Sequence, residues 1–84
     1  MADQPRVVVY CRSWCGECHA AIRWLGDMGY EFEVIDVDED DTARARCVEL
    51  AGKVVTPTFE IGEDTCIVNF DPRKLRDLLG KPEE

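Results

Sequence analysis

The feature that most restricts the fold of this chain is a change in apolar spacing between residues 11 and 15. Residues 6–11 form a short β-branched run, which is typical of a strand covered on both faces. From Cys15 onward, apolar residues recur every three or four positions, as on the buried side of a helix. They are Cys18, Ala21, Ile22, Leu25 and Met28. The pattern predicts a strand leading directly into a helix, which Gly29 ends as a left-handed C-cap.

The rest of the chain contains three further strand patterns and two further helix patterns. The strands are predicted at residues 32–37, 58–61 and 65–68. A second helix is predicted to start at Asp40 or Asp41 and to end near Ala51. A third helix starts with Asp71 as its N-cap and Pro72 at its first helical position, where a proline loses no hydrogen bond.

The order of these elements, β-α-β-α-β-β-α, predicts an α/β fold. The first β-α-β unit requires a parallel, right-handed crossover, whereas the last two strands form an antiparallel hairpin. A four-stranded mixed sheet between helices covers all of these apolar surfaces. Because 84 residues suit one domain, we expect a single domain over residues 1–84 with its core at about 6–80.

Charge and the N-terminal sequence argue against several classes of function. The net charge is −8, which repels phosphate backbones and makes nucleic acid an unsuitable partner. The first apolar run covers only residues 7–10, too few for a signal-peptide core or a membrane span. We therefore expect a cytoplasmic protein without nucleic-acid or membrane partners.

Two cysteines three residues apart, Cys15 and Cys18, lie where the predicted strand gives way to the helix. The chain has five cysteines, an odd number that cannot form a closed set of structural bridges. A bridge across so short a loop also removes little chain entropy. In a reducing compartment such a pair is more often catalytic or metal-binding.

The predicted position of the pair gives its two thiols different properties. The free N–H groups at a helix start favour a negative charge, so we expect a lowered pKa for Cys15 and a nucleophilic thiolate. Cys18, one turn further on the buried stripe, keeps a higher pKa and can attack a mixed disulfide formed at Cys15. Glu17 opposes the thiolate slightly, and Arg12 is a nearby cation that offsets this effect.

A zinc site is the main alternative for such a pair, because zinc sites use the same spacing. Zinc requires about four ligands, usually from two such pairs, and the sequence has no second pair. We interpret the remaining cysteines as small buried hydrophobic residues and His19 as part of the helix surface. These cysteines are Cys11, Cys47 and Cys66.

The dipeptide Thr56-Pro57 enters the third predicted strand. Proline cannot donate to a strand ladder, so it belongs at the start of a strand or at an edge. A bond before proline is also the one type of peptide bond for which cis costs little. We expect a cis bond that leaves the backbone N–H and C=O of Thr56 facing an extended substrate.

The sequence resembles glutaredoxins, and most of all the NrdH-type glutaredoxin-like redoxins that reduce ribonucleotide reductase. The resemblance lies in residues 10–20, 29–32, 35–38 and 69–75 and covers about residues 6–79. It implies the thioredoxin-like fold and a dithiol–disulfide oxidoreductase with Cys15 as nucleophile and Cys18 as resolving thiol. It also implies that Pro57 is a cis-proline facing them and that Thr56 pairs with the substrate backbone.

Three departures from the glutaredoxin pattern bear on the electron donor. Gly16-Glu17 replaces Pro-Tyr between the cysteines, Thr56 replaces Val, and Asn69-Phe70 replaces the Gly-Gly turn that helps hold glutathione. The backbone N–H of Asp71 and the side chain of Arg12 remain as candidate contacts. Both glutathione and thioredoxin reductase are therefore candidate donors, and no bound cofactor or metal is required.

Two aromatic residues complete the predicted substrate-binding surface. Trp14 adjoins Cys15, so its ring is expected to shield the cleft and to contact a partner. Phe70 is either a core residue or a floor beneath a bound peptide. The predicted partners are proteins that contain disulfides.

Two other kinds of function use the same features. One is a metal or iron–sulfur protein that binds through Cys15. The other is a redox-regulated binding module whose acidic residues dock a partner while the disulfide acts as a switch.

Overall fold

Four strands form one mixed sheet in the order β2-β1-β3-β4. The computed structural model describes residues 4–80. The strands are β1 (Val7–Cys11), β2 (Glu33–Asp36), β3 (Thr58–Ile61) and β4 (Thr65–Val68). β1 runs parallel to β2 and antiparallel to β3, and β3 and β4 form an antiparallel hairpin. This is the mixed sheet that the sequence predicts.

Three helices lie between the strands at the predicted positions. They are α1 (Gly16–Met28), α2 (Asp41–Ala51) and α3 (Pro72–Leu79). The carboxylates of Asp40 and Asp71 accept the backbone N–H groups of Ala43 and Lys74, which caps α2 and α3. Gly29 adopts φ 82°, the left-handed conformation expected at the end of α1. The first two strands are one or two residues shorter than predicted, because residues 6, 32 and 37 lie outside the ladder.

The apolar core is divided between the two faces of the sheet. On one face, Val7 and Val9 pack with α1 and α3 around the fully buried Phe59. On the other face, Val8 and Tyr10 pack against α2. Every residue of β1 is therefore buried, which explains why its sequence is continuously apolar rather than alternating.

The segments that contain the predicted site residues lie at one edge of the sheet. Tyr10 pairs with Thr58, and Thr58 pairs with Val68, so the end of β1, the start of β3 and the end of β4 lie side by side. The segments 12–15, 56–57 and 69–71 consequently meet at this edge. Within residues 4–80, none of the helices has the length and apolar character needed to cross a membrane.

Candidate active site

Cys15 is the N-cap of α1, with φ −87° and ψ 108°. Its Sγ accepts the backbone N–H of Cys18 at 3.4 Å. A helix start leaves several N–H groups without intrahelical partners, and a sulfur at the N-cap is well placed to accept them. The strand that ends at Cys11 and the turn after it, in which the Cys15 N–H donates to the Arg12 carbonyl at 3.1 Å, direct the sulfur to this position.

The hydrogen bonds around Cys15 favour its ionised form. Partial burial alone would raise the pKa of Cys15, but hydrogen bonds from Cys18, Thr56 and the backbone N–H of Glu17 outweigh it, and the pKa lies below its usual value. The protonated thiol can donate to the Thr56 carbonyl oxygen, 3.7 Å away. The lowered pKa agrees with the sequence expectation for this thiol.

Cys18 lies one turn behind Cys15 and is 1% exposed. Burial raises the pKa of Cys18, and the hydrogen bond with Cys15 raises it further. Burial also raises the pKa of Cys11, at the end of β1. The two members of the pair therefore differ in the predicted directions: the partly exposed sulfur of Cys15 has a lowered pKa, and the enclosed sulfur of Cys18 has a raised pKa.

The Thr56–Pro57 peptide bond is cis, as the sequence led us to expect. The bond immediately precedes β3, and Pro57 is buried. Its carbonyl oxygen accepts the N–H of Asn69 at 2.9 Å, which fastens the segment before β3 to the segment after β4. Thr56 consequently lies against Cys15.

Arg12 and Trp14 lie on the segment between β1 and α1, where the Arg12 side chain is engaged by a carboxylate. Its Nε donates to the Asp38 carboxylate at 3.1 Å, and its guanidinium lies 5.3 Å from the Trp14 ring centroid. Hydrogen bonds, rather than the Arg12 charge, are the leading causes of the lowered pKa of Cys15. Trp14 is 71% exposed, so its ring forms open surface beside Cys15.

The segment between β4 and α3 provides the other predicted contacts. Phe70 is half-buried and its ring packs edge-on against Trp24, with centroids 5.9 Å apart. The side chain of Asp71 is used to cap α3. Sequence reasoning missed one contact here: the backbone N–H of Phe70 donates to Oε1 of Glu17 at 2.6 Å. The two residues are 53 positions apart, so no local pattern could have predicted it.

Two cysteines, Cys47 and Cys66, and the histidine lie outside this arrangement. Cys47 is fully buried, and its thiol donates to the Val55 carbonyl oxygen at 3.4 Å. Cys66 lies on β4 with its pKa raised by burial, and His19 is exposed with its ring against the Ser13 carbonyl. Over residues 4–80, no three His, Cys, Asp or Glu side chains are grouped so that they could hold a metal ion.

Comparison with known proteins gives a consistent result. The Glutaredoxin family model matches residues 7–66. Monothiol glutaredoxin-S8 of Oryza sativa subsp. japonica is 34% identical over 62 residues, which are 74% of this chain and 54% of that protein. The chain thus matches about half the length of this curated relative.

Solved structures extend the similarity to nearly the whole chain. Methanoredoxin of Methanosarcina acetivorans superimposes with a TM-score of 0.87 at 28% identity, covering 94% of this chain and 88% of that one. The NrdH-redoxin of Escherichia coli, a glutaredoxin-like protein described as having a thioredoxin-like activity profile, gives a TM-score of 0.75 at 31% identity. That alignment covers 92% of this chain and 99% of the other.

Proposed function

The chain belongs to the glutaredoxin family, and on this premise we propose that it reduces protein disulfides with Cys15 as nucleophile and Cys18 as resolving thiol. Family membership supports thiol–disulfide redox chemistry in general. The observation that supports the assignment of these two roles is the difference between the two thiols. The pKa of Cys15 is lowered, whereas the pKa of Cys18 is raised.

The proposed reaction has two thiol–disulfide exchanges. The Cys15 thiolate attacks one sulfur of the substrate disulfide, forms a mixed disulfide and releases the other substrate sulfur as a thiolate. Cys18 then attacks the Cys15 sulfur, closes the Cys15–Cys18 disulfide and releases the second substrate sulfur. The proton lost by Cys18 passes to a released thiolate. Two electrons move from this protein to the substrate.

The residues around Cys15 suit an extended segment of a protein substrate. In this proposal the backbone of Thr56, held by the cis bond to Pro57, pairs with the substrate chain. Trp14 supplies an exposed aromatic surface beside the mixed disulfide, and Phe70 forms a floor supported by Trp24. Arg12 and the backbone N–H of Asp71 are further proposed contacts for the substrate.

The electron donor is proposed to be thioredoxin reductase, with glutathione as the competing candidate. The similarity to a glutaredoxin-like protein described as thioredoxin-like in its activity supports this order. The Phe70 N–H, which a carboxylate of a small donor would otherwise use, is already bonded to Glu17. We expect faster insulin reduction when thioredoxin reductase and NADPH, rather than glutathione and glutathione reductase, recycle the protein.

Two cysteine variants test the assignment. Cys15→Ser removes the nucleophile and is expected to abolish turnover with either donor. Cys18→Ser retains the nucleophile, so it is expected to accumulate a mixed disulfide between Cys15 and the substrate, measurable by mass spectrometry. Cys66→Ser is a matched control on β4 that retains full turnover. Turnover by the Cys15→Ser variant at the wild-type rate would refute the proposal.

No observation in residues 4–80 favours the alternative function as a metal or iron–sulfur carrier, and we do not propose it. The redox-regulated binding module also remains a sequence hypothesis.

A further inference from the structure

We propose that Glu17 is a positioning residue: its carboxylate fastens the first turn of α1 to the segment before α3 and thereby holds backbone donors on the sulfur of Cys15. This inference rests on the proposed function, because it concerns the hydrogen bonds that stabilise the thiolate of the proposed nucleophile. It begins from the 2.6 Å hydrogen bond between the Phe70 N–H and Oε1 of Glu17.

The residues between the two cysteines have little packing to hold them. Gly16 and Glu17 are both exposed, and a Cβ added at Gly16 would have no neighbour within 4 Å. They also form the first turn of a helix, where N–H groups lack intrahelical partners and ends fray. Within the described part of the chain, the bond from Phe70 is the only side-chain hydrogen bond that joins this dipeptide to a residue distant in sequence.

The backbone of the same dipeptide supports the reactive sulfur. The N–H of Cys18 donates to the sulfur of Cys15 at 3.4 Å, and the backbone N–H groups of Cys18 and Glu17 both lower the pKa of Cys15. Movement of this turn would therefore lengthen bonds that stabilise the thiolate. Fastening the Glu17 side chain restricts that movement at the residue that supplies one of the two donors.

The other end of the connection is itself fixed. Asn69 adopts φ 71°, and its N–H donates to the Pro57 carbonyl at 2.9 Å. The next residue, Phe70, packs its ring on Trp24 of α1. Glu17 is thus joined to a segment that is held both by the cis-proline segment and by α1. The connection links the nucleophile and the proposed substrate-pairing residues in one rigid unit.

A positioning role and a purely electrostatic role of Glu17 predict opposite changes in the pKa of Cys15 when Glu17 is replaced. If Glu17 acted only through its negative charge, removing that charge would make the Cys15 thiolate easier to form and would lower its pKa. If Glu17 acts by positioning, Glu17→Ala weakens charge-assisted N–H···S bonds and raises the pKa of Cys15. Glu17→Gln keeps an oxygen that accepts the Phe70 N–H and removes only the charge, so it separates the two effects.

The experiment measures the alkylation rate of Cys15 by iodoacetamide against pH, read by peptide mass spectrometry in the full-length reduced protein. We expect Glu17→Ala to raise the pKa of Cys15 by about 0.5 to 1 unit. This change corresponds to part of the free energy of one charge-assisted hydrogen bond, because the N–H···S bonds are weakened and not removed. Glu17→Gln is expected to show a pKa at or below that of the wild type. Glu63→Ala, which removes an equal charge in the hairpin turn at the opposite end of the sheet, is expected to leave it unchanged.

A second measurement follows the connection without using any redox reaction. Hydrogen exchange at the Phe70 amide is expected to accelerate several-fold in Glu17→Ala but not in Glu17→Gln, since only the former loses the acceptor. A pKa of Cys15 that falls in both Glu17 variants would overturn the inference and leave the proposed function intact. An unperturbed pKa of Cys15 in the wild type would instead undermine the proposed function.

Discussion

At the scale of single residues, position along one helix gives two identical side chains opposite acid–base behaviour. Cys15 is the N-cap and accepts N–H groups, whereas Cys18 is enclosed by the core. Both consequences can be derived from the sequence, because a cap and a buried stripe are local patterns. The contacts of Arg12 and Glu17 could not be derived in this way, because each depends on the placement of a distant segment.

Arg12 illustrates the limit of sequence reasoning. It was expected to support the thiolate because it is near Cys15 in sequence. The parallel register of β1 and β2 pairs Cys11 with Asp36 and so brings Asp38 beside Arg12. The guanidinium pairs with that carboxylate, and this pairing depends on the register of the sheet, which the local sequence does not specify.

A pH-dependent stability follows from the lowered pKa of Cys15. Between its folded pKa and about 8.5, its usual value, this thiol is ionised in the folded protein and protonated in the unfolded chain. The unfolded chain then binds more protons, so this contribution to stability increases as the pH rises through that range and is lost as the pH falls through the folded pKa. Denaturant unfolding of the reduced protein should therefore show the free-energy difference between wild type and Cys15→Ser increasing toward pH 8.5. A difference independent of pH would contradict the expectation.

At the scale of elements, the capping residues predicted the ends of the helices accurately. Asp40, Asp71 and Gly29 occupy the caps that their residue types predict, and the apolar spacing identified every strand. The strand limits were less accurate, since ladder pairing rather than composition sets where a strand ends. The cis bond before Pro57 was foreseeable only together with the paired cysteines.

Gly26 of α1 and the C-cap Gly29 provide a matched test of helix energetics. Gly26 lies on the exposed side of the last turn of α1, where an added Cβ meets nothing within 4 Å, whereas Gly29 has φ 82°. Gly26→Ala is expected to raise the free energy of unfolding by about 0.5–1 kcal/mol, because alanine loses less backbone entropy on folding. Gly29→Ala is expected to lower the free energy of unfolding by a similar amount, because its conformation suits only glycine. Urea titrations measure both, and equal effects of the two substitutions would contradict this account.

At the scale of the whole molecule, we expect the net charge to affect stability more than any single ion pair does. The chain carries a net charge of −8, and residues 4–80 extend over 36 × 25 × 19 Å. Some ion pairs within residues 4–80, such as that of Arg6 with Glu33, are exposed on both sides, and exposed pairs contribute little to stability. Mutual repulsion across the molecule is therefore the larger electrostatic effect.

Salt should consequently stabilise the protein. Screening lengths fall from about 30 Å at 0.01 M to about 10 Å at 0.1 M salt, so the higher concentration suppresses repulsion across the molecule. We expect the thermal unfolding midpoint to rise by a few degrees between these concentrations of sodium chloride. A lower midpoint at 0.1 M would mean that attractive pairs, such as Arg46 with Glu60, outweigh the repulsion.

The sulfur of Cys15 lies at the end of the sheet where β1 leads into α1, next to the exposed Trp14 and Gly16. Because these neighbours are exposed, the proposed function extends to a disulfide presented by a complete folded protein as well as to one in a short peptide. On the proposed function, partners are then distinguished by the match of shape and charge over the surrounding surface, and we expect the net negative charge to favour encounters with positively charged substrates.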